Sequence, residues 1–270
     1  MEINRSNVME VVRNAGLKPD KDYGQNFLIE PEISKRIVDA ANLSENDTIL
    51  EIGPGIGSLT HFIAESNAKI TLVDIDRRMI DFLNIFYKDK DNFTLIENDI
   101  RKVDVSNYTK IIGNLPYNIT TELVLFLLKN ARKAEKMILM CQTEAFNRFF
   151  DLSGKEYGPA SVLVHLMGNS KRLFNVKGGS FYPVPKCSST VFELIITSDN
   201  RENCVEIYSF VKNLFLNRRK TILNNLNFVT KNKEKSEAIL NACGIAFTKR
   251  PEEISPEMYK KLFDEFNKVN

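Results

Sequence analysis

The chain has 270 residues, with 43% hydrophobic and 27% charged side chains and a formal net charge of +2. This composition is that of a folded protein and excludes wholesale disorder, and no apolar run reaches the roughly 18–20 residues of a membrane-spanning helix. The net charge hides an asymmetry, because residues 1–100 carry −7 and residues 101–270 carry +9. A basic surface is therefore expected in the second part of the chain, confined to one side of the molecule.

The cysteines and histidines of the chain indicate the cellular compartment and whether a metal site is expected. The first residues do not begin a basic-then-apolar secretion leader. No two cysteines form a C-x-x-C pair, which favours a reduced chain in the cytoplasm. The two histidines, His61 and His165, are too few for a zinc site, so no metal is expected. The four widely separated cysteines are Cys141, Cys187, Cys204 and Cys243.

Short β-branched runs alternate with helical patterns up to about residue 142. The pattern predicts five strands, at 48–52, 69–74, 93–97, 110–113 and 137–142. It predicts helices between them at 58–66, 77–87 and 121–130. Such alternation builds βαβ units with right-handed crossovers, and hence an α/β, Rossmann-like fold with a parallel sheet.

From about residue 200 the pattern is helical only. Apolar residues at spacings of three and four predict helices at 205–217, 220–228, 233–242 and 256–267. The polar stretch 197–201 marks the boundary. We therefore expect an α/β domain with an N-terminal arm over residues 1–199 and a small all-helical domain over residues 200–270.

A glycine loop follows the first predicted strand. Gly53 and Gly55 permit a tight turn and let a ligand approach the main-chain amides closely. The spacing is not G-x-G-x-x-G, and the loop lacks the lysine and hydroxyl residue of a phosphate-binding loop. Taken alone, the loop is also compatible with a plain strand–helix turn.

Two acids follow the next two strands. Asp74 lies about 20 residues after the glycine loop, where an acid accepts hydrogen bonds from ribose hydroxyls. Asp99 follows the third strand and is placed to accept from an adenine amino group. Each acid alone is equally well explained as a solvated loop residue, but three successive strand ends together favour a nucleoside ligand. Because the loop carries no basic residue, we expect a nucleoside without phosphates, S-adenosylmethionine.

The tetrapeptide Asn114-Leu115-Pro116-Tyr117 is the most specific motif in the chain. This form is typical of methyltransferases that act on exocyclic amino nitrogens of bases. An asparagine oxygen and a main-chain carbonyl accept both N–H hydrogens, which concentrates the nitrogen lone pair toward the methyl group. Pro116 stiffens the turn, and Tyr117 offers an aromatic face to a flipped base. The alternative is a helix N-terminal turn with a buried tyrosine.

These motifs resemble those of the ribosomal RNA adenine N6-dimethyltransferases over nearly the whole chain. Residues 23–28 are similar to the family's N-terminal motif, which implies that Asn26 and Leu28 contact the methyl donor. Residues 51–60 match the donor loop. Residues 181–189 are similar to the Phe-x-Pro-x-Pro-x-Val-x-Ser segment, which implies that Phe181 stacks on the target base opposite Tyr117. By itself, Phe181 is more simply explained as a packed loop aromatic.

The family has two branches. One modifies two adjacent adenosines in the 3′-terminal hairpin of 16S ribosomal RNA in the small subunit, and the other modifies one 23S adenosine and confers macrolide resistance. Residues 217–226 and 244–255 are similar to the first branch, which implies a cytoplasmic monomer active in small-subunit biogenesis. Asp74 and Tyr23 stand where the family usually has Glu and Phe. The 23S enzyme remains an alternative, as does a ribosome-assembly factor that acts mainly by binding.

Residues 210–235 contain seven lysines or arginines and one acid, Glu234. Such a run is compatible with a solvated helical face. Beside the Asn-Leu-Pro-Tyr motif it predicts a phosphate-contacting surface, centred on Arg218, Arg219 and Lys220. We expect recognition by RNA shape and a displaced base rather than by groove reading.

Overall fold

The computed structural model describes residues 2–17, 25–116, 119–197 and 203–268. The chain divides into two compact units. The sheet unit comprises Met1–Ala145 and Ser170–Ile196, and the helical unit comprises Phe146–Asn169 and Thr197–Asn270. Residues 146–169 thus belong by their packing to the helical unit, although the sequence analysis assigns them to the first domain. The functional division between two domains stays a prediction.

The sheet unit is built on a seven-stranded sheet. Its strands run in the spatial order β4-β3-β2-β5-β6-β9-β7. Strands β2 to β6 pair in parallel, which confirms the predicted α/β fold, and β9 adds to β6 in the antiparallel sense. The strands are β1 Phe27–Leu28, β2 Thr48–Ile52, β3 Lys69–Asp74, β4 Phe93–Glu97, β5 Lys110–Asn114, β6 Lys136–Gln142, β7 Gly168–Val176, β8 Phe181–Tyr182 and β9 Ser189–Ile196.

The centre of this sheet is apolar and fully buried. Ile49, Leu50, Ile111 and Ile138 are all fully buried, and burial of each such side chain contributes about 1.5–3 kcal/mol. A Cβ atom on Gly113 would come within 2.8 Å of the Ile52 carbonyl oxygen, so β2 and β5 approach closely where only glycine fits. This tight centre gives the strand ends fixed positions.

Helices connect the strands of this unit. Helix α4 begins after Asp76, whose carboxylate accepts from the Arg78 amide at 3.0 Å and so caps the helix. The predicted helix 58–66 is shorter in the structure, because its last turn is a 3-10 turn that ends at Asn67 with φ +56°. The helices are α1 Val8–Asn14, α2 Pro31–Ala41, α3 Thr60–Ile63, α4 Arg77–Tyr87 and α5 Thr120–Asn130.

A two-stranded ribbon joins two distant parts of the sheet unit. Strands β1 and β8 pair in the antiparallel sense, with Leu28 opposite Phe181. The Ile29 amide extends the pairing by donating to the Ser180 carbonyl at 2.9 Å. The ribbon therefore fixes the N-terminal motif beside the segment that contains Phe181.

The helical unit packs around two buried tyrosines. The Tyr157 hydroxyl donates to the Ile254 carbonyl at 2.6 Å, and the Tyr259 hydroxyl donates to the Pro251 carbonyl at 2.7 Å. The predicted helix 220–228 starts two residues later, because Thr221 is its N-cap. The helices are α6 Thr143–Phe150, α7 Pro159–Met167, α8 Cys204–Leu214, α9 Ile222–Thr230, α10 Lys233–Cys243 and α11 Pro256–Lys268. Helix α7 packs on α8 and α11, which explains why residues 146–169 belong to this unit.

Candidate active site

A cavity lies within the sheet unit at the carboxyl ends of β2, β3, β4 and β5. This is where ligands bind in open α/β sheets. The structure brings most of the predicted residues together here. The predicted residues that line the cavity are Asn26, Gly53, Gly55, Asp74, Asp99, Asn114, Leu115 and Pro116. Leu28 lines a smaller neighbouring cavity together with Gly53, Gly55 and Asn114.

The glycine loop needs its glycines for conformation and for space. Gly53 and Gly55 have φ of +65° and +54°, a region that other residues adopt at a cost. A Cβ atom on Gly55 would lie 3.2 Å from the Phe27 ring. The Gly53 amide donates to the Val73 carbonyl at 2.9 Å and fixes the loop to β3. The loop therefore presents bare main chain to the cavity.

Asp74 ends β3 with a carboxylate that is only 9% exposed. Its Oδ2 atom accepts from the Gly55 amide at 3.2 Å, and its Oδ1 atom accepts from the Asp76 amide at 2.9 Å. Burial raises the pKa of Asp74 to about 6. Each oxygen keeps a further lone pair, so additional donors such as hydroxyl groups would stabilise the ionised form.

Asp76 is a neighbour that the sequence analysis did not single out. Its carboxylate accepts from Gln25 Nε2 at 2.8 Å and from Arg78 Nη2 at 2.6 Å. Burial opposes ionisation, but the hydrogen bonds from Arg78 and Gln25 outweigh it and hold the pKa of Asp76 below its usual value. Gln25 lines the cavity, and its bond to Asp76 links the N-terminal motif to the start of α4. The helix N-cap pattern at Asp76 is a sequence signal for this role.

Asp99 lies at the cavity but already has a partner. Arg101 donates to it through Nη2 at 2.6 Å and through its main-chain amide at 2.9 Å. These contacts with Arg101 hold the pKa of Asp99 below its usual value. Arg101 also pairs with Glu122 at 2.7 Å. The predicted contact between Asp99 and an adenine amino group stays a prediction.

Asn114 is the last residue of β5, and the nitrogen of its side-chain amide forms a hydrogen bond. Its Nδ2 atom donates to the main-chain carbonyl oxygen of Asn26 at 3.3 Å. Its Oδ1 atom is buried and accepts no hydrogen bond from any residue that the structure describes. A buried acceptor without a donor costs about 1–3 kcal/mol, so such an atom marks a place where a ligand donor belongs.

Leu115 and Pro116, which follow Asn114, are both held by hydrogen bonds of their main chain. The Leu115 amide donates to the Met140 carbonyl at 2.8 Å. The Pro116 carbonyl accepts from the Ile119 amide at 3.3 Å and from the Thr120 hydroxyl at 2.9 Å. The predicted aromatic partner, Tyr117, lies outside the described residues.

Glu51 is the most deeply buried acid of the site. It is 1% exposed, and its Oε2 atom accepts from the Thr60 hydroxyl at 2.7 Å. Burial raises the pKa of Glu51 to about 8, so the carboxyl is largely protonated at neutral pH. It lines the smaller cavity beside Leu28 and Asn114.

Phe181 is packed rather than presented to the cavity. Its side chain is 1% exposed and belongs to the apolar core of the sheet unit. It is not among the residues that line the cavity around Asn114. A stacking role requires its ring to become accessible, and that role stays a prediction.

The predicted RNA-binding residues lie in the helical unit, before α9. Arg219 and Lys220 are exposed, whereas Arg218 is half-buried. The Arg218 guanidinium donates to the carbonyl oxygens of Lys155 at 2.6 Å and Gly154 at 3.1 Å. The three cations of this run therefore do not have equivalent surroundings.

Among the residues that the structure describes, no group of three or more His, Cys, Asp or Glu side chains is arranged to hold a metal ion. In the same part of the chain, every helix is too short or too polar to cross a membrane. None of the four cysteines forms a disulfide bond.

The parallel sheet, the glycine loop and the Asn-Leu-Pro turn at its carboxyl edge define an S-adenosylmethionine-dependent methyltransferase. The model of the family described as "Ribosomal RNA adenine dimethylase" matches residues 16–268. The chain belongs to this ribosomal RNA adenine dimethylase family, which confirms the predicted family and fold.

Curated relatives match almost end to end. The chain is 35% identical to a "Ribosomal RNA small subunit methyltransferase A" of Fusobacterium nucleatum subsp. nucleatum, over 92% of this chain and 98% of the relative. It is 34% identical to a protein of the same name in Clostridium botulinum, over 96% of this chain and 98% of the relative.

Two solved structures share the architecture. A dimethyladenosine transferase from Plasmodium falciparum superposes with a TM-score of 0.77 at 26% identity, covering 90% of this chain and 98% of the other. The 23S rRNA methyltransferase ErmE superposes with a TM-score of 0.69 at 23% identity, covering 90% of this chain and 100% of the other. The second likeness shows a common fold.

Proposed function

We propose that this chain transfers methyl groups from S-adenosylmethionine to the N6 atoms of two adjacent adenosines in the 3′-terminal hairpin of 16S ribosomal RNA. The observation that carries the chemistry is the buried Oδ1 atom of Asn114, which accepts no hydrogen bond from the described part of the chain. The choice of the small subunit is supported by the names of the curated relatives, which match over almost their whole length.

The residues around the cavity fit the methyl donor. Gly53 and Gly55 leave bare main chain at the cavity, and a Cβ atom on Gly55 would lie 3.2 Å from the Phe27 ring. Asp74 offers a buried carboxylate whose ionised form is favoured by hydroxyl donors such as those of a ribose. With Asp99, Asn26 and Leu28 they would hold S-adenosylmethionine, which supplies an electrophilic methyl group when bound.

Asn114 would activate the acceptor nitrogen by accepting one of its hydrogens. The lone pair of an adenine N6 amine is delocalised into the ring, so the amine is a poor nucleophile. The Oδ1 atom of Asn114 can accept one N–H, because Asn26 already holds the other half of the amide. The Pro116 carbonyl has two donors from its own turn, so we assign the second N–H to the Leu115 carbonyl.

Positioning would supply most of the rate enhancement. With both hydrogens held, the nitrogen moves toward tetrahedral geometry and its lone pair becomes available for direct displacement. With the donor bound, the new N–C bond would form as the donor's S–C bond breaks, and the surplus proton would leave the nitrogen for solvent. Alignment of the two reactants lowers the barrier without a strong general base.

A methyl-transfer assay on ribosomal particles tests this substrate assignment. Undermethylated small subunits and, separately, large subunits are incubated with radiolabelled S-adenosylmethionine, and the label is mapped. Label in two adjacent adenosines of the small-subunit hairpin is expected. Label in large subunits alone would favour the 23S enzyme, and binding to small subunits without any label would favour an assembly factor.

We also propose that the enzyme acts as a monomer in the cytoplasm on the small ribosomal subunit. The match to relatives of that name supports the partner. Sedimentation of the free protein at micromolar concentration should give a species near its chain mass of 30.9 kDa. A stable species of twice that mass would contradict the monomer.

A further inference from the structure

Arg218 fastens a loop of the helical unit to the turn before α9. Its two terminal nitrogens donate to the carbonyl oxygens of Lys155 and Gly154 at 2.6 and 3.1 Å. Its guanidinium also lies 5.6 Å from the centre of the Phe215 ring. A planar, forked cation suits such a two-carbonyl contact, and a lysine ammonium cannot reproduce it. The loop of residues 152–156 and the turn of residues 217–221 therefore lie side by side.

Asn225 holds the turn of residues 217–221 from inside. It is 2% exposed, and its Nδ2 atom donates to three main-chain carbonyls, those of Asn217 at 3.2 Å, Thr221 at 3.1 Å and Lys220 at 3.4 Å. One buried amide thus fixes the main chain on both sides of Arg219. Asn225 falls at a variable position of the family motif, so the motif does not single it out.

Three positively charged side chains on these two segments are exposed to solvent. Lys155, Arg219 and Lys220 are exposed, and none of them forms an ion pair with a residue in the described ranges. The acid nearest in sequence, Glu156, is 3.7 Å from Arg148. Unpaired cations on a fixed main chain are suited to a polyanion, because each can neutralise one phosphate.

We propose that the loop of residues 152–156 and the turn of residues 217–221 form one surface that binds the phosphate backbone of RNA. Lys155, Arg219 and Lys220 contact phosphates, whereas Arg218 and Asn225 are positioning residues that hold the two segments together. The inference rests on the proposed function, which makes RNA the partner. It adds Lys155 to the surface and assigns Arg218 a role that depends on geometry rather than on charge.

The salt dependence of RNA binding distinguishes the residues that contact phosphates from the positioning residues. Binding of the 3′-terminal hairpin of 16S RNA is measured over a range of KCl concentrations for the wild type, Lys155→Ala, Arg219→Ala, Arg218→Lys and Asn225→Asp. Loss of one phosphate contact should reduce the slope of log K against log salt by about 0.7–0.9. Lys155→Ala and Arg219→Ala should show this change. Lys261→Ala, another exposed lysine of the helical unit, serves as the control and should bind as the wild type.

Hydrogen exchange over residues 152–157 tests the positioning role directly. Arg218→Lys keeps the charge but loses the fork, so exchange in this loop should accelerate and RNA affinity should fall about tenfold. Asn225→Asp cannot donate and should loosen residues 217–221 in the same way. Normal RNA affinity and normal exchange in Arg218→Lys would overturn the proposal, as would an unchanged salt slope in Lys155→Ala.

The outcomes distinguish this inference from the proposed function. If the wild type neither binds nor methylates small-subunit RNA, the proposed function fails, although the exchange measurement still tests the fastening of the two segments. If the wild type methylates this RNA while Lys155→Ala and Arg218→Lys behave normally, the inference alone fails.

Discussion

The side-chain amide of Asn114 donates to the main-chain carbonyl of Asn26, a residue 88 positions earlier in the chain, across 3.3 Å. This bond fixes the orientation of the amide and leaves its Oδ1 atom buried without a donor among the described residues. The pairing of β1 with β8 holds the segment that follows Asn26. The N-terminal motif therefore orients the side chain on which the proposed chemistry depends.

Asn114 is predicted both to contact the methyl donor and to activate the acceptor nitrogen, and Asn114→Ala should lower the activity far more than the donor affinity. Removal of one preorganised hydrogen-bonding group at a reacting centre lowers kcat by about 10²–10³. The affinity for S-adenosylmethionine should change little, which calorimetry would measure beside single-turnover methylation. Asn130→Ala, which removes an asparagine at the end of α5, is the matched control. A variant with full kcat at position 114 would exclude this mechanism.

Gly55→Ala should weaken donor binding more than its loss of stability explains. The positive φ makes the substitution cost about 1 kcal/mol of unfolding free energy, and the new methyl group would meet the Phe27 ring at 3.2 Å beside the cavity. Gly16→Ala is the control, since Gly16 has φ +63° and open space around it. Denaturant unfolding and donor titration of both variants check this. Equal donor affinities in the two variants would be inconsistent with the site.

The fold was largely predictable because its signals are local. The bounds of β3, α4 and β4 match the predicted 69–74, 77–87 and 93–97, where β-branched runs and an N-cap alternate. Strand β9 and the β1–β8 ribbon were not predicted. The ribbon pairs residues more than 150 positions apart, and β9 pairs with β6 residues about 50 positions earlier. No local pattern specifies such contacts.

Most residues of the site were predictable from the sequence, but the hydrogen bonds between them were not. The glycine loop, Asp74 and Asn114 all line the cavity as their positions at the strand ends predict. The bonds of Asn26 to Asn114 and of Gln25 to Asp76 were not predictable, because they depend on how an irregular segment crosses the sheet edge. The burial of Phe181 agrees with its simpler explanation as a packed loop aromatic, and its stacking role stays a prediction.

Glu51 should make the protein less stable as the pH rises from 6 to 8. Its pKa is about 8 in the folded chain, against an ordinary value of 4.5, so the folded state retains a proton that the unfolded state has lost. Stability therefore falls with pH until the folded carboxyl ionises, by about 2 kcal/mol between pH 6 and 8. The pKa of Asp74 is about 6, so most of the pH dependence of stability that Asp74 contributes lies below pH 6.

Glu51→Gln is the variant that tests this account of the buried acid. Its unfolding free energy, measured in urea at pH 6 and pH 8, should lose most of the difference. Glu45→Gln removes an exposed acid of the same unit and should keep the wild-type difference. If Glu51→Gln retains the full pH dependence, the Glu51 carboxyl is not the group responsible.

The variant Phe181→Leu tests whether the Phe181 ring only packs in the core or also stacks on the target base. A leucine fills most of the buried volume, so the loss of stability should be well below the roughly 3–5 kcal/mol of a Phe→Ala change. If the ring stacks on the target base, methylation of RNA should still fall about tenfold, since base stacking contributes about 1–3 kcal/mol. Phe192→Leu, at another buried phenylalanine of the sheet unit, should not change kcat. Unchanged methylation by Phe181→Leu would restrict this ring to a packing role.

The most direct measurement is the modification state of ribosomal RNA in cells that lack their own small-subunit dimethyltransferase. The wild-type chain and Asn114→Ala are expressed separately, and nucleoside mass spectrometry is combined with primer extension across the 3′-terminal hairpin. The wild type should restore two adjacent N6,N6-dimethyladenosines in 16S RNA, and Asn114→Ala should restore neither. New dimethyladenosine in 23S RNA instead, or full restoration by Asn114→Ala, would contradict the account.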